Sequence, residues 1–278
     1  MPEKVNLNAY FERIGFSGSI APTLGTLEAL HALHPAAIPF ENLDPLMGRK
    51  VKLDQASLEQ KMLVKGRGGY CLEHNTLLMN VLRDLDYPVR AHAARILWEQ
   101  PEGGATMISH MVLLVEISGS NYLCDVGMSS FTLTAPLKLR DGVEQKVGND
   151  TFRLLRDDAL WRLEVRVGED WRGVYQFDLV EQGPAEIEAI NSLVETEYQS
   201  RALLYAARID GEVRSTLSGN RLSIYRPGEP RERRHAPDVE TLKAILSEVF
   251  RITLPSAEDL DPALARVIEA APPVEPEA

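Results

Sequence analysis

The hydrophobic pattern of this chain changes its period near residue 89, and that change restricts the folds open to it. Up to about residue 85, apolar side chains recur at helical spacing, as in the stripe of Leu78, Val81 and Leu85. From residue 89 to about residue 180, apolar and polar residues alternate in short runs separated by Gly, Asn, Asp and Ser. This part predicts an antiparallel β-barrel or sandwich. The remainder mixes both periods, so the sequence predicts an α+β protein in three consecutive segments.

Composition indicates whether the chain can bury a core and in which compartment it is expected. With 278 residues, 44% of them apolar, it is long enough to bury a full core. No run approaches the ~18 consecutive apolar residues of a membrane span, and the N-terminus lacks the basic-then-apolar pattern of an export signal. We therefore expect a cytoplasmic protein without a membrane partner. Its 2 cysteines cannot form a disulfide framework, so both thiols are free for chemistry or for packing.

Net charge argues against nucleic acid as a partner, because a charge of −11 repels a phosphate backbone. Residues 221 to 235 depart from this acidic background with a group of arginines: Arg221, Arg226, Arg231, Arg233 and Arg234. The segment is either a local site for an anionic small ligand or a solvated strand pair that turns at Pro227 and Gly228. The sequence leaves both interpretations open.

The segment SHMVLLVEISGSNYLCDVG, residues 109 to 127, predicts a hairpin whose geometry brings two polar side chains together. A two-residue turn at Ser118-Gly119 places Asp125 opposite Val112. His110 lies two residues farther along the same strand and projects from the same face. The imidazole and the carboxylate are then within reach of each other.

The two cysteines occupy different positions relative to this pair. Cys124 adjoins Asp125 and faces the opposite side of the strand, which indicates a structural role. Cys71 stands at the N-terminus of a predicted helix, directly after RGGY. The positive end of the helix dipole stabilises a thiolate there, and the free N–H groups hold a developing oxyanion. His110 would take the thiol proton and Asp125 would orient the ring, in the Cys, His, Asp order of papain-like thiol enzymes.

Each of these residues also has a structural explanation. A cysteine at a helix start is often simply buried, His110 could satisfy a strand end, and Asp125 could begin a turn. His74 is a second candidate for the base because i and i+3 side chains on a helix are neighbours, although no acid partner for it is evident. His31 and His34 share a helix face without a cysteine or carboxylate set, so we expect no metal site.

Together these motifs make the sequence closely similar to the arylamine N-acetyltransferases. The matching strings are PTLGTLEALHALHPAAIPFENLD at 22–44, RGGYCLEHN at 67–75, SHMVLLV at 109–115 and NYLCDVG at 121–127, followed by FRLL, YQFDL and EVFRITLP. The resemblance implies a helical N-terminal domain over 1–88, an antiparallel β-barrel middle domain over 89–183 and an α/β lid with a mobile C-terminal tail over 184–278. It also implies a papain-like Cys-His-Asp core.

The same resemblance implies a ping-pong reaction. Acetyl-CoA, as co-substrate, acylates a cysteine, and an arylamine or arylhydrazine then accepts the acetyl group. Matched by motif, Cys71 is the nucleophile, His110 the base and Asp125 the acid that orients it. No metal takes part in this scheme.

The resemblance further assigns the surroundings of the nucleophile. Glu41 of PFEN would pair with Arg67, because a buried guanidinium near a thiolate must be neutralised and a carboxylate matches its geometry. Phe40 and Tyr70 would form apolar walls for an aromatic acceptor.

Other positions bear on the substrates. Met128 and Ser129 follow the glycine after Asp-Val, where the family usually has Phe and Gly, so Met128 should give the acceptor pocket a different shape. Leu72 replaces the commoner Phe after the nucleophile. Thr106 and Ser200 are assigned to CoA because they lie in segments where relatives approach it.

Three other classes of function share parts of this pattern. A thiol peptidase or transglutaminase-like amidase would use the same three residues, but it has no need of Pro-Phe-Glu-Asn. An amide synthase that cyclises an acyl chain would share the motifs and work without CoA. A binding protein on this scaffold would have lost a member of the triad, and none is lost. The sequence favours the acetyltransferase and leaves an amide synthase, or another thiol acyltransferase or hydrolase, as the alternative.

Overall fold

The computed structural model describes residues 4–100 and 107–271. Its first part is helical, as the apolar spacing predicts. The elements are α1 (Leu7–Ile14), α2 (Leu24–Ala37), the short strand β1 (Phe40–Glu41), α3 (Leu43–Leu46), α4 (Gln55–Leu58) and α5 (Cys71–Asp84). A π-helical segment, Glu59–Val64, continues α4. Thr23 caps the start of α2, because its hydroxyl accepts the N–H of Thr26 at 3.2 Å.

The middle part is an antiparallel sheet that curls into a nearly closed barrel. Its strands are β2 (Val89–Ile96), β3 (His110–Ile117), β4 (Ser120–Cys124), β5 (Leu137–Lys138), β6 (Glu144–Val147), β7 (Asp150–Asp157), β8 (Leu160–Val167) and β9 (Asp170–Glu181). The order across this 8-stranded sheet is β5-β4-β3-β2-β9-β8-β7-β6. The sequence pattern does not reveal β5 and β6, because such short runs carry too little alternation to be recognised.

The turn between β3 and β4 has the length that the sequence predicts. Ser118 and Gly119 form it with φ angles of 49° and 73°. Positive φ at both positions is typical of a type I′ turn, which matches the twist of paired strands. The register beyond the turn pairs Leu113 with Cys124, so Asp125 follows directly at the end of β4.

The last part combines helices with a second sheet. Its elements are α6 (Pro184–Ser200), β10 (Tyr205–Asp210), β11 (Val213–Ser218), β12 (Arg221–Tyr225), β13 (Glu232–His235), α7 (Val239–Ala244), a π-helical continuation (Ile245–Val249) and α8 (Ala257–Ala270). The 5-stranded order is β1-β10-β11-β12-β13. Phe40 pairs with Ala207 and Glu41 with Ala206, so a strand from the helical part completes this sheet.

The basic segment 221–235 forms the strands β12 and β13 around a turn at Pro227-Gly228, which is the strand pair considered above. Its arginines are partly neutralised within the pair. Arg226 Nη1 lies 2.9 Å from a Glu232 carboxylate oxygen, and Arg234 contacts the same carboxylate.

Buried apolar side chains of β3 divide between two cores according to strand parity. Met111, Leu113 and Val115 pack with α2 and α5. Val112 and Leu114 face the interior of the barrel. The strand is therefore covered on both faces, which explains its continuous apolar sequence. Over residues 4–100 and 107–271, no helix is both long enough and apolar enough to cross a membrane.

Replacing Thr23 by Ala removes the side-chain acceptor at the start of α2. We expect Thr23→Ala to lower the free energy of unfolding by about 1 kcal/mol, the usual effect of losing an N-cap. Urea unfolding followed by circular dichroism measures this change. The matched control is Thr196→Ala, because Thr196 is exposed in the middle of α6 and its hydroxyl only donates to the carbonyl of Ser192. Equal losses in the two variants would contradict the capping role.

Candidate active site

Cys71 begins α5 in a tightly enclosed position and is 3% exposed. Its Sγ lies 3.6 Å from the carbonyl oxygen of Ser109, the residue before β3. Two glycines make room for neighbouring backbone. A Cβ atom on Gly68 would lie 1.9 Å from the Pro39 oxygen, and one on Gly127 would lie 2.7 Å from the Cα of Cys71. Larger residues would force these segments away from the thiol.

His110 and Asp125 form a buried hydrogen-bonded pair, which the predicted hairpin register brings together. The imidazole Nε2 lies 2.7 Å from Oδ2 of the carboxylate. The other oxygen, Oδ1, accepts hydrogen bonds from Asn75 Nδ2 at 2.9 Å and from the Gly127 N–H at 3.0 Å. Burial by itself would raise the pKa of Asp125, but His110 and these donors outweigh it and lower that pKa. The carboxylate therefore remains charged.

The protonation of His110 follows from its two neighbours. Burial opposes the charged imidazolium, but Asp125 and the Cys71 side chain, which hydrogen-bonds the ring, outweigh burial and raise the pKa of His110 to about 10. The ring of Tyr175 packs against the imidazole with the centroids 5.2 Å apart. Cys71, His110 and Asp125 thus form one hydrogen-bonded row whose central ring is positively charged at neutral pH.

His74, the second candidate for the base, has both ring nitrogens engaged elsewhere. Its Nδ1 lies 2.9 Å from His34 Nε2, and its Nε2 lies 3.1 Å from the carbonyl oxygen of Pro39. Burial is the main cause that lowers the pKa of His74 to about 4. The geometry therefore favours His110 as the base. In the part of the chain that the structure describes, no group of 3 or more His, Cys, Asp or Glu side chains is placed to hold a metal ion.

A group of buried and partly buried charges, the ionic cluster, lies beside the start of α5. Its members are Glu41, Asp44, Lys61, Arg67 and Glu73. Arg67 Nε lies 2.7 Å from Glu41 Oε1, which is the pair expected from the sequence. Lys61 Nζ lies 2.7 Å from Asp44 and 2.8 Å from Glu73. Burial opposes the charge of Glu41, but Arg67 and Lys61 outweigh it and lower the pKa of that carboxyl to about 2.

A cavity of about 570 Å³ opens over Cys71 and is lined by both His110 and Phe40. This volume lies in the range of small-molecule binding sites. Met128, which the resemblance places at the acceptor pocket, also lines the cavity. Three aromatic side chains of the wall were not identified from the sequence: Trp98, Tyr198 and Tyr205.

Other assigned residues lie elsewhere. Tyr70, expected as a wall, is fully buried outside the lining of the cavity; its hydroxyl donates to Asn191. Its ring packs edge to face against Tyr198, so Tyr70 supports the wall from behind. Ser200 is exposed at the end of α6, and its hydroxyl donates to a backbone carbonyl of the same helix at 3.2 Å. Thr106 lies outside the described residues, so its assignment remains a prediction.

Comparison with known proteins defines the class to which this fold and site belong. A family model described as N-acetyltransferase matches residues 23–259. The arylamine N-acetyltransferase of Escherichia coli K12 is 35% identical over 256 residues, which cover 91% of this chain and 90% of that protein. The structure of the Mycobacterium marinum arylamine N-acetyltransferase superposes with a TM-score of 0.90 at 33% identity, covering 95% of this chain and 100% of the other.

A second structure of the Mycobacterium marinum enzyme, in complex with CoA, superposes with a TM-score of 0.89 at 33% identity. It covers 94% of this chain and 99% of that one. The chain therefore belongs to the arylamine N-acetyltransferase family, and it is an acyltransferase.

Glu41→Gln should destabilise the ionic cluster in a pH-dependent way. Because the pKa of Glu41 is lowered from 4.5 to about 2 in the folded state, its stabilising effect is present above about pH 4.5 and is lost as the pH falls towards 2. We expect a loss of about 3 kcal/mol in the free energy of unfolding at neutral pH, because Arg67 loses its buried partner. The difference from wild type should shrink as the pH falls below about 4.5.

Urea unfolding at a series of pH values measures this difference. Glu12→Gln is the control, because Glu12 is exposed on α1 and its replacement should change the free energy by less than about 0.5 kcal/mol. A deficit of Glu41→Gln that stays constant with pH would show that the charge of Glu41 is not responsible.

Proposed function

We propose that the protein transfers an acetyl group from acetyl-CoA to an arylamine or arylhydrazine through a thioester on Cys71, in a ping-pong sequence. The observation that carries the proposal is the row of Cys71, His110 and Asp125, of which Cys71 and His110 line a cavity of about 570 Å³. The family membership supports it, as does the neighbouring structure that contains CoA.

In this scheme the three parts of the chain have separate tasks. The helical part, residues 1–88, supplies the nucleophile, and the barrel part, residues 89–183, supplies the histidine and the aspartate. The α/β lid, residues 184–278, covers the site, since Val194, Tyr198 and Tyr205 from this part line the cavity. The substrates are then enclosed where helix, barrel and lid meet.

The first half-reaction forms the acetyl-enzyme. The thiol proton of Cys71 resides on His110, and the thiolate attacks the thioester carbonyl of acetyl-CoA. The first free N–H groups of α5 stabilise the oxyanion that develops. The bond between the carbonyl carbon and the CoA sulfur then breaks, and the leaving CoA thiolate takes the proton from His110. The products are free CoA, a thioester on Cys71 and a neutral imidazole.

The second half-reaction returns the enzyme to its starting state. A neutral arylamine enters the space that CoA has left and packs against the aromatic wall formed by Phe40, Trp98 and Tyr198. Its nitrogen attacks the thioester carbon while the neutral His110 accepts the amine proton. The bond from the carbonyl carbon to the cysteine sulfur breaks, the acetylated amine leaves, and the thiolate and imidazolium are restored. Asp125 keeps the ring in the required tautomer throughout.

Release of CoA tests the reaction itself. Purified protein mixed with acetyl-CoA should release about one equivalent of CoA without an acceptor and should turn over continuously with an arylamine or arylhydrazine. A thiol-reactive dye measures the free CoA. If no amine or hydrazine promotes release, the proposal is rejected. Mass spectrometry of Cys71→Ala and Cys124→Ala identifies the acylated thiol. A label that persists in the first variant and is absent from the second would reverse the assignment.

Asp125→Asn should remove turnover while largely preserving the fold. An asparagine Oδ1 still accepts from Asn75 and from the Gly127 N–H, but its NH₂ group then faces His110 and imposes the wrong tautomer. We expect the saturating rate to fall about 10,000-fold, as in other triads, with an unchanged circular dichroism spectrum. A rate near that of the wild type would mean that another group orients His110.

A further inference from the structure

Asp125 is held by its main chain as well as by its carboxylate. β4 ends at Cys124, and in the described sheet β5 pairs with Tyr122 and Leu123 and stops short of Asp125. The amide of Asp125 therefore needs a partner outside the strands. That partner is Nε2 of His31 on α2, which accepts the N–H at 3.1 Å. The two residues are 94 positions apart in the sequence.

The hydrogen bond also specifies the tautomer of the His31 ring. An amide is a donor, so Nε2 must be the unprotonated nitrogen and the ring proton must sit on Nδ1. Burial lowers the pKa of His31 to about 4, although the charge of Asp125 opposes this, and the ring is neutral at working pH. Among the described residues, Nδ1 has no hydrogen-bond partner of good geometry. A buried N–H donor without an acceptor lowers the stability of the folded protein.

Packing alone does not explain an imidazole at this position. The preceding buried positions of α2 include Leu27 and Leu30, and an apolar residue at position 31 would leave no unpartnered donor. The feature of His31 that a leucine lacks is the acceptor on Nε2, and the structure uses that acceptor for the amide of Asp125.

We propose that His31 is a positioning residue for the acid of the triad: it fixes the main chain at Asp125 and so sets the direction from which the carboxylate meets His110. The inference rests on the role proposed for Asp125. His31 itself lies outside the residues that line the cavity and acts through Asp125.

Two helices, α5 and α2, hold Asp125 in place. From α5, the side chain of Asn75 donates to Oδ1 of Asp125 and accepts the N–H of Val126 at 3.0 Å. From α2, His31 holds the amide. Without the bond to His31, the amide of Asp125 loses its acceptor while the two hydrogen bonds with Asn75 of α5 remain, and the main chain at Asp125 gains freedom to turn the carboxylate away from His110.

His34 provides a matched comparison within the same helix. It lies about one turn beyond His31 and is also fully buried and neutral. Its ring makes two hydrogen bonds of 2.9 Å, one to the Tyr10 hydroxyl and one to His74, and neither of these two partners belongs to the triad. A leucine at either position therefore removes a buried imidazole, but only one of the two replacements frees Asp125.

The experiment compares His31→Leu, His31→Met, His31→Gln and His34→Leu in the full-length protein. Leucine and methionine remove the acceptor, whereas the glutamine oxygen can take the place of Nε2. Two rates are measured: alkylation of Cys71 by iodoacetamide, located by mass spectrometry, and acetylation of Cys71 across a range of acetyl-CoA concentrations. Thermal unfolding records the stability of each variant.

We expect His31→Leu and His31→Met to slow alkylation and saturating acetylation by roughly tenfold to a hundredfold, the effect of a misplaced catalytic group. The acetyl-CoA concentration for half-saturation should stay within about twofold, because substrate contacts are intact. His31→Gln and His34→Leu should keep both rates within about threefold of wild type, since the amide of Asp125 retains its acceptor in each. His34→Leu should lose stability like His31→Leu.

The inference is overturned if His31→Leu alkylates at the wild-type rate, if His31→Gln falls as far as His31→Leu, or if His34→Leu slows as much. Should His31→Leu not fold, the comparison of His31→Met with His31→Gln decides the question. Absence of CoA release by the wild type would reject the acetyltransferase proposal instead, and the alkylation rates, which need no acetyl-CoA, would still decide the role of His31.

Discussion

The two-residue turn between β3 and β4 is the constraint on which the candidate site depends. Side chains alternate along a strand, so a slip of one residue in the register would send Asp125 to the face opposite His110. Ser118 and Gly119 prevent that slip, because their φ angles of 49° and 73° suit a turn of only this length. The 2.7 Å hydrogen bond between imidazole and carboxylate is thus a result of local turn chemistry.

Burial strengthens the hydrogen bond between His110 and Asp125. It also requires that other buried charges nearby be paired. The ionic cluster places three carboxylates against two cations beside the start of α5. Burial, with repulsion from Glu41 and Asp44, raises the pKa of Glu73 to about 7 although Lys61 opposes the shift. Charges fixed in this way need no reorganisation when a substrate arrives, which is how protein sites stabilise charge that develops during a reaction.

The helices, the longer strands and the pairing of His110 with Asp125 could be predicted because each depends on a local period or on a turn length. The contact between His31 and Asp125 could not, because 94 residues separate them and no period relates α2 to the end of β4. Tyr70 was misplaced for a related reason. It precedes the first residue of α5, where the helical period does not set the direction of a side chain. Tyr198 reaches the cavity only through the packing of α6, which a helical pattern does not reveal.

The pairing of β1 with β10 also determines when, during synthesis of the chain, the cavity over Cys71 can be completed. Phe40, a wall of the cavity, acquires its strand partner only when Ala207 has left the ribosome. Until then the edge of Phe40 and Glu41 that faces β10 has no strand partner, although the Glu41 N–H can already bind the Gly69 carbonyl, and such distant closure is a slow step of folding. A ribosome-bound chain that has emerged only through the barrel therefore holds Cys71, His110 and Asp125 but lacks the cavity walls that the last part of the chain contributes.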